Sequence, residues 1–356
     1  MAAARRISRL GSVADPASTP TPTHDRRRLP KPLLRTVRIA LIVVVVWLLL
    51  RLLRGVDWSE VGYALTHLAV WQIAVLLVVM AVRRFVSAAP LALLIPGLSA
   101  GRAMVNDVAA TAVATLAPSP GDVMIRLAML RSWQIDPTNA ASGLTLSTLL
   151  FYVARLAAPF LGFVLFWAAG TFYAPFGWSA LVFGAGAAAL LGGLLYALRA
   201  ERTAAAVGRL IGGLLRRVRP TTKGPDAWAE LLVSFQAHSA GTMRRRGRLT
   251  ILDLLALVLV EAGLIVLCMA FVGAELDRSD VVLLACSFMV VYPLTGLPLM
   301  GAGVLEATYV TFVSEHSEVE ATALMAGLIV WRVAVQFVPV LVGLLTIVVW
   351  RRTHEA

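Results

Sequence analysis

The sequence predicts an all-α polytopic membrane protein with about six spanning helices and two re-entrant helical hairpins, arranged as an inverted repeat. Three observations predict it. Of 356 residues, 59% are hydrophobic and only 15% charged, with a mean hydropathy of +0.81, whereas a soluble domain carries about 25% charged residues. Several apolar runs approach the ~20 residues that a helix needs to cross ~30 Å of hydrocarbon, and they are continuous rather than alternating, which excludes a closed barrel. Two further pairs of shorter apolar pieces are each interrupted by Pro and Gly in a matching register.

The elements follow in order. Residues 1–33 are polar and rich in Pro and Arg, the composition of a disordered basic cytoplasmic tail rather than of a signal peptide. Residues 34–351 then form a single transmembrane domain. Its spanning segments are predicted at Val37–Leu53, Ala64–Val82, Leu144–Gly170, Trp178–Leu198, Thr250–Val272 and Ala321–Trp350. Between the second and third, Ala103–Ala117 and Gly121–Trp133 flank a break at Pro118-Ser-Pro-Gly121. Between the fifth and sixth, Val281–Leu297 and Ala302–Val313 flank a break at Pro298-Leu-Met-Gly301. Each piece is shorter than a spanning helix requires, and each break holds residues that end helices.

Charge fixes the expected orientation. Nine Lys and Arg fall within residues 1–38 and eleven between Arg199 and Arg248, as the positive-inside rule demands of cytoplasmic flanks. Arg83 and Arg84 read as a return to the cytoplasm. The opposite side receives Asp57 and Glu60, then Glu275, Asp277 and Asp280, then Glu315, Glu318 and Glu320, against the exceptions Arg51, Arg54 and Arg278. Both termini are thus expected in the cytoplasm. The net charge of +12 therefore reads as membrane-surface charge that attracts anionic inner-leaflet headgroups, not as a nucleic-acid interface. Within residues 199–248, the apolar positions Val207, Leu210, Ile211, Leu214, Leu215 and Val218 recur at helical spacing between Arg209, Arg216 and Arg217. They predict an amphipathic helix that lies on the inner leaflet or packs on the bundle. No cofactor or metal is implied, since the only cysteines, Cys268 and Cys286, lie in apolar runs and the five histidines are scattered.

The hairpins carry the functional signal. Pro118-x-x-Gly121-x4-Arg126 aligns with Pro298-x-x-Gly301-x4-Glu306, and forty-one residues after each leading proline stands another, Pro159 and Pro339, preceded by Arg155 and Arg332. The flanking spans run in opposite senses, which is the pattern of transport sites built from inverted repeats with broken helices. Arg126, Arg155, Glu261, Glu306 and Arg332 fall inside apolar segments, with Asp107 and Asp122 in or at the first hairpin. A charge at mid-bilayer costs at least ~2.5–3.5 kcal/mol on insertion scales, so these groups must pair or line a polar cavity. Arg126 and Glu306 are the expected pair. The plainer alternative is a structural ion pair that fixes hairpin register and binds nothing. An arginine left over, Arg155 or Arg332, would favour an anion, and phosphate fits its forked donors. Half-helix N-termini after Gly121 and Gly301 would add amide donors.

At these residues, Pro118-Ser-Pro-Gly-Asp122 with Arg126, Gly301-Ala-Gly303-Val-Leu-Glu306-Ala307, and Trp331-Arg332 with Pro339 and Gly343, the chain resembles the lysylphosphatidylglycerol synthase transmembrane (flippase-like) family. The resemblance runs from about residue 37 to 350. It departs at Leu299 and Met300, where the family pattern carries Pro and Gly. It implies a membrane domain that moves a lipid headgroup between leaflets; the buried charges themselves make Arg126, Arg155, Glu306, Arg332 and Asp122 the expected substrate-binding set. It does not imply the synthase reaction, because only six residues follow Trp350 and the aminoacyl-transferase domain of some relatives would be absent.

Three functions follow as expectations. The first is a flippase for a phosphate-bearing lipid or lipid-linked headgroup in the cytoplasmic membrane. No Gly-x4-Gly-Lys-[Ser/Thr] motif is present, so its energy would come from gradients or from consumption of the lipid. The second is a polyprenyl-phosphate-dependent glycosyltransferase using Asp57 or Glu60, although no catalytic motif accompanies them. The third is a non-transporting scaffold for a cell-envelope enzyme.

Overall fold

A continuous apolar backbone can satisfy its own hydrogen bonds in lipid only as helix, and among the described residues no strand occurs. The computed structural model describes residues 68–116, 120–170, 174–218 and 224–354. The expected tail, the first span at Val37–Leu53, Asp57, Glu60 and Pro118 lie outside them. The helices are α1 (Val70–Leu94), α2 (Ala100–Leu116), α3 (Gly121–Ser132), α4 (Pro137–Ala168), α5 (Ala174–Arg199), α6 (Glu201–Val218), α7 (Pro225–Phe271), α8 (Arg278–Val291), α9 (Val304–Ser314), α10 (Ala321–Arg332) and α11 (Val338–His354). Two 3-10 turns, Tyr292–Gly296 and Pro298–Gly301, join α8 to α9, and a π-turn at Val333–Phe337 joins α10 to α11.

Six helical segments are long and apolar enough to cross a membrane: Val70–Leu94, Pro137–Ala168, Gly177–Arg199, Pro225–Phe271, Arg278–Gly296 and Ala321–Thr353. Five correspond to expected spans, mostly with later or earlier ends. Local chemistry sets those ends. Asp136 accepts from the Thr138 and Asn139 N–H groups at 3.0 and 2.9 Å and Pro137 follows at the first helical position, so α4 begins well before its apolar stretch. α7 runs for 47 residues because nothing between Pro225 and Phe271 breaks a helix, the arginines at 244–246 included.

The sequence reads Val281–Leu297 as the first arm of a hairpin, whereas the helical segment there is Arg278–Gly296. It is longer than its apolar run because Asp277 caps it at Asp280 N–H, and because the 3-10 turn rises faster than an α-helix. At 1.5 Å per α residue and about 2.0 Å per 3-10 residue it covers about 31 Å, enough to cross.

α1 corrects a second reading. Arg83 and Arg84 do not mark a return to the cytoplasm. The apolar sequence resumes at Phe85 and the helix continues to Leu94 through Pro90, so both arginines lie mid-helix and buried.

The packing partners exchange between the two halves of the chain. α1 packs on α7; α2 packs on α11 while α8 packs on α4; α2 meets α3 while α8 meets α9. Two glycines permit the crossed contacts. A Cβ on Gly162 of α4 would come within 2.9 Å of the Cys286 carbonyl oxygen in α8, and one on Gly343 of α11 would sit against the Val108 carbonyl in α2. α6, the expected amphipathic helix, packs along the start of α7, where Gly208 and Gly212 meet Ala229 and Pro225 closely. Leu210 and Leu214 remain exposed on its other side. At the opposite end of α7, the connections to α8 and α10 bring Glu275, Asp277, Asp280, Glu315, His316 and Glu318 around one open basin of about 900 Å³. There the Asp280 N–H and the Ser279 hydroxyl, donating to Asp277, hold its carboxyl below the usual carboxylate range.

Gly162→Ala and Gly343→Ala are each expected to lower stability by about 1–3 kcal/mol through overpacking. Gly192→Ala, with no atom near its added methyl, should not. Thermal unfolding in detergent compares the three.

Candidate functional site

Every ionisable group inside the helices must meet a partner or a polar space, and the helices bring five arginines and three carboxylates together in separate clusters. On α1, Arg83 donates Nε to Glu261 Oε1 of α7 at 2.8 Å, and its Nη2 approaches the same oxygen. Both residues are more than nine-tenths buried. Arg84 turns the other way. Its Nη1 stands 3.6 Å from Asp107 Oδ2 of α2 and donates to Thr111 Oγ1 at 3.1 Å, and its Nη2 donates to the Val335 carbonyl at 3.3 Å. That carbonyl is available because Pro339, four residues on, has no N–H to give it, and the π-turn opens the helix at the same place.

Asp107 also binds Arg126 of α3, whose Nη2 donates to Oδ1 at 2.9 Å while Nη1 reaches Asn106 Oδ1 at 3.2 Å. Asn106 in turn donates to the Arg126 carbonyl at 3.1 Å, and Ser87 donates to Asp107 Oδ2 at 3.3 Å. In the other half Arg332 turns Nε and Nη2 to Glu306 Oε1 and donates Nη1 to Gln336 Oε1 at 2.9 Å. Glu306 Oε2 accepts the Gly303 N–H at 2.7 Å and so caps α9.

Arg126 and Glu306 are therefore not partners. Each is paired within its own half, because α2 with α3 and α9 with α10 are neighbours joined by short connections. Asp122 occupies the first turn of α3, where the helix's positive end favours a carboxylate.

Arg155 is different. Its guanidinium carbon lies 5.9 Å from the ring centroids of both Tyr152 and Tyr292, a cation–π arrangement. Among the described residues no carboxylate or hydrogen-bond acceptor meets it, and its Nε is buried without a partner. Gly296 makes room for it: a Cβ there would come within 3.1 Å of Arg155 Nη1. Tyr292 begins the first 3-10 turn, and Gly296 ends it. Counting these clusters, five arginines against three carboxylates leave two positive charges over, one at Arg155 and one shared by Arg84 and Arg126 on Asp107.

The second break has a tightly specified backbone. Met300, Gly301 and Gly303 all have positive φ, at 56°, 68° and 85°, and a Cβ on Gly301 would come within 2.6 Å of the Leu294 carbonyl oxygen. Met300 stands in the left-handed region, at a cost of roughly 1–2 kcal/mol for a non-glycine residue, so the turn keeps the geometry that a glycine would favour.

Over residues 36–343 the sequence matches the family described as the lysylphosphatidylglycerol synthase TM region. The chain belongs to that family. No curated relative and no solved structure matches it. Membership and six apolar spanning helices make it a multi-pass membrane protein. Within the family motifs the structure brings Glu306 to Arg332 and sets Arg126 apart with Asp107. Arg83, Arg84, Asn106, Tyr292 and Gln336 join the clusters without having been singled out as site residues. The signal for Arg83 and Arg84 was the apolar stretch on both sides of them, which places the charges inside a span rather than at its end.

Asp107→Ala would strand two arginines and is expected to destabilise the protein by about 3–5 kcal/mol. Arg126→Ala leaves Asp107 with Arg84 and should cost less. Denaturant unfolding in mixed micelles ranks them.

Proposed function

We propose that this protein is a lipid transporter of the cytoplasmic membrane that carries a phosphate-bearing headgroup past Arg155 while the hydrocarbon chains stay in the bilayer. The observation that carries the reading is Arg155, a cation within a span with no acid against it among the described residues. A guanidinium presents forked donors that match phosphate, and the excess of two positive charges within these clusters favours an anion over a cationic headgroup. The aromatic rings of Tyr152 and Tyr292 hold the arginine without neutralising it. Arg126, Glu306 and Arg332, being paired, orient the hairpin segments and border the passage rather than bind the phosphate alone.

The exchange of packing partners between halves supports an inverted repeat around α1 and α7. Rocking of one repeat against the other would then open Arg155 to each leaflet in turn. The α2–α3 and α8–α9 pairs serve as the broken elements at the substrate. The basic segment 199–248 and the acidic basin at the far end of α7 support an orientation with both termini in the cytoplasm. The exposed Leu210 and Leu214 with Arg209 and Arg216 on α6 suit contact with anionic inner-leaflet headgroups. We read the chain as a transporter and not an enzyme, because its described interior charges are matched to holding an anion and not to a reacting bond.

The test is headgroup translocation in proteoliposomes, with NBD-labelled phosphatidylglycerol and a fluorescent polyprenyl phosphate as probes and dithionite quenching as readout. Arg155→Ala should abolish movement while leaving the fold intact, since it strands no partner, and Arg155→Lys should retain part of it. Wild-type rates in Arg155→Ala would remove the site.

A further inference from the structure

We propose that Glu261 is the proton-binding group that couples headgroup movement to a proton gradient, by releasing Arg83 when it is protonated. This deepens the transport reading and rests on it.

Glu261 stands at the middle of its span, eleven residues after Thr250 and ten before Phe271 in the apolar part of α7. Arg83 stands at the middle of α1, thirteen residues after Val70 and eleven before Leu94. The pair thus closes the interface between the two central helices at mid-depth. It closes it incompletely. Both nitrogens that Arg83 commits, Nε and Nη2, go to Glu261 Oε1, while Glu261 Oε2 and Arg83 Nη1 are buried with no hydrogen-bond partner among the described residues. A structural ion pair at this depth gains most from a two-oxygen, two-nitrogen fork. Here one carboxylate oxygen is left bare, and a bare buried carboxylate oxygen is where a proton would be held.

The surroundings connect this pair to the anion site. Tyr292 lies within electrostatic reach of Glu261, Arg83 and Arg155, and it is also one of the two rings set against Arg155. The groups around Glu261 are Arg83 and Arg84 of α1, Tyr292 after α8, and Arg155 of α4 across Tyr292, with Asp107 of α2 beyond Arg83. Arg332 of α10 is occupied by Glu306. α5 carries no charged residue before Arg199, and α6 packs on the opening turns of α7 near Ala229.

The coupling follows from charge balance. A proton on Glu261 Oε2 neutralises the carboxylate and leaves Arg83 without a counter-ion in the apolar interior, where an unpaired charge is costly. An anionic headgroup beside Arg155 supplies the missing charge. Loss of the proton lets Glu261 reclaim Arg83 and weakens the hold on the headgroup. Proton and headgroup therefore bind together, each raising the affinity for the other by the same factor, and they cross in the same direction. For a headgroup of one negative charge the pair is neutral, so the pH difference drives transport and the membrane potential does not.

The protein is reconstituted in phosphatidylcholine vesicles containing the same two anionic probes, with pyranine in the lumen to report protons. Wild type should move the probe faster toward the alkaline side when a pH difference is imposed, and should carry protons only when an anionic probe is present. Glu261→Gln should move the probe at a rate that the gradient does not alter, with proton entry at the protein-free level. Because Glu261→Gln leaves Arg83 unpaired and can impair folding, the neutral double variant Arg83→Gln/Glu261→Gln carries the same expectation. Probe-linked proton entry that persists in either variant overturns the coupling. Wild-type transport indifferent to the gradient overturns it too while leaving the transport reading standing, whereas a wild type that moves neither probe overturns both.

Discussion

The intolerance of hydrocarbon for an unpaired charge organises this molecule. Arg83, Arg84, Arg126 and Arg332 would each cost several kcal/mol if left facing lipid, and each instead finds a carboxylate on a neighbouring helix. Those pairings join α1 to α7, α1 to α2 and α3, and α9 to α10. They link helices that apolar packing alone would leave free to slide, because lipid tails are as apolar as leucine and give no hydrophobic reason for spanning helices to associate. Close packing at Gly162 and Gly343 supplies the rest of the association.

Helix interruptions and charges occur together for a related reason. A proline or a π-turn frees a carbonyl, and a freed carbonyl at depth needs a donor. Val335, released by Pro339, takes one from Arg84. Gly303 meets the reverse need: its N–H, exposed by the turn before α9, is taken by Glu306, whose other oxygen holds Arg332. These two interruptions are thus secured by side chains from the clusters, so moving the helix on one side of either would disturb the charges on the other. That is the kind of two-state linkage a carrier needs, and the proposed roles of Arg155 and Glu261 rest on it.

Arg155 departs from the pattern. It rests between Tyr152 and Tyr292 against a glycine instead of against an acid. Aromatic faces attract a cation without cancelling its field, which leaves the charge available to an anion. Glu261 departs more subtly, with one oxygen shared by two donors and the other bare.

Hydropathy and periodicity are properties of consecutive residues, so the sequence by itself determined the membrane class, the helical fold, the Pro–Gly breaks and most spans. It also marked Arg126, Arg155, Glu306 and Arg332 as interior charges, since a charge flanked by apolar residues in sequence is flanked by them in a helix. What the sequence could not carry was partner choice. Arg126 and Glu306 match in register across the repeat and still do not meet; Asp107 and Arg332 take their places because pairing depends on which helix faces lie together, a three-dimensional fact with no local signature. Length misled in two places for physical reasons: a capped start and a 3-10 end extended Arg278–Gly296 past its apolar run, and a helix able to bury Arg83 and Arg84 ran on where the charges suggested an exit. Only the tertiary structure decided which arginine is left over, because that depends on every other charge having already found its acid.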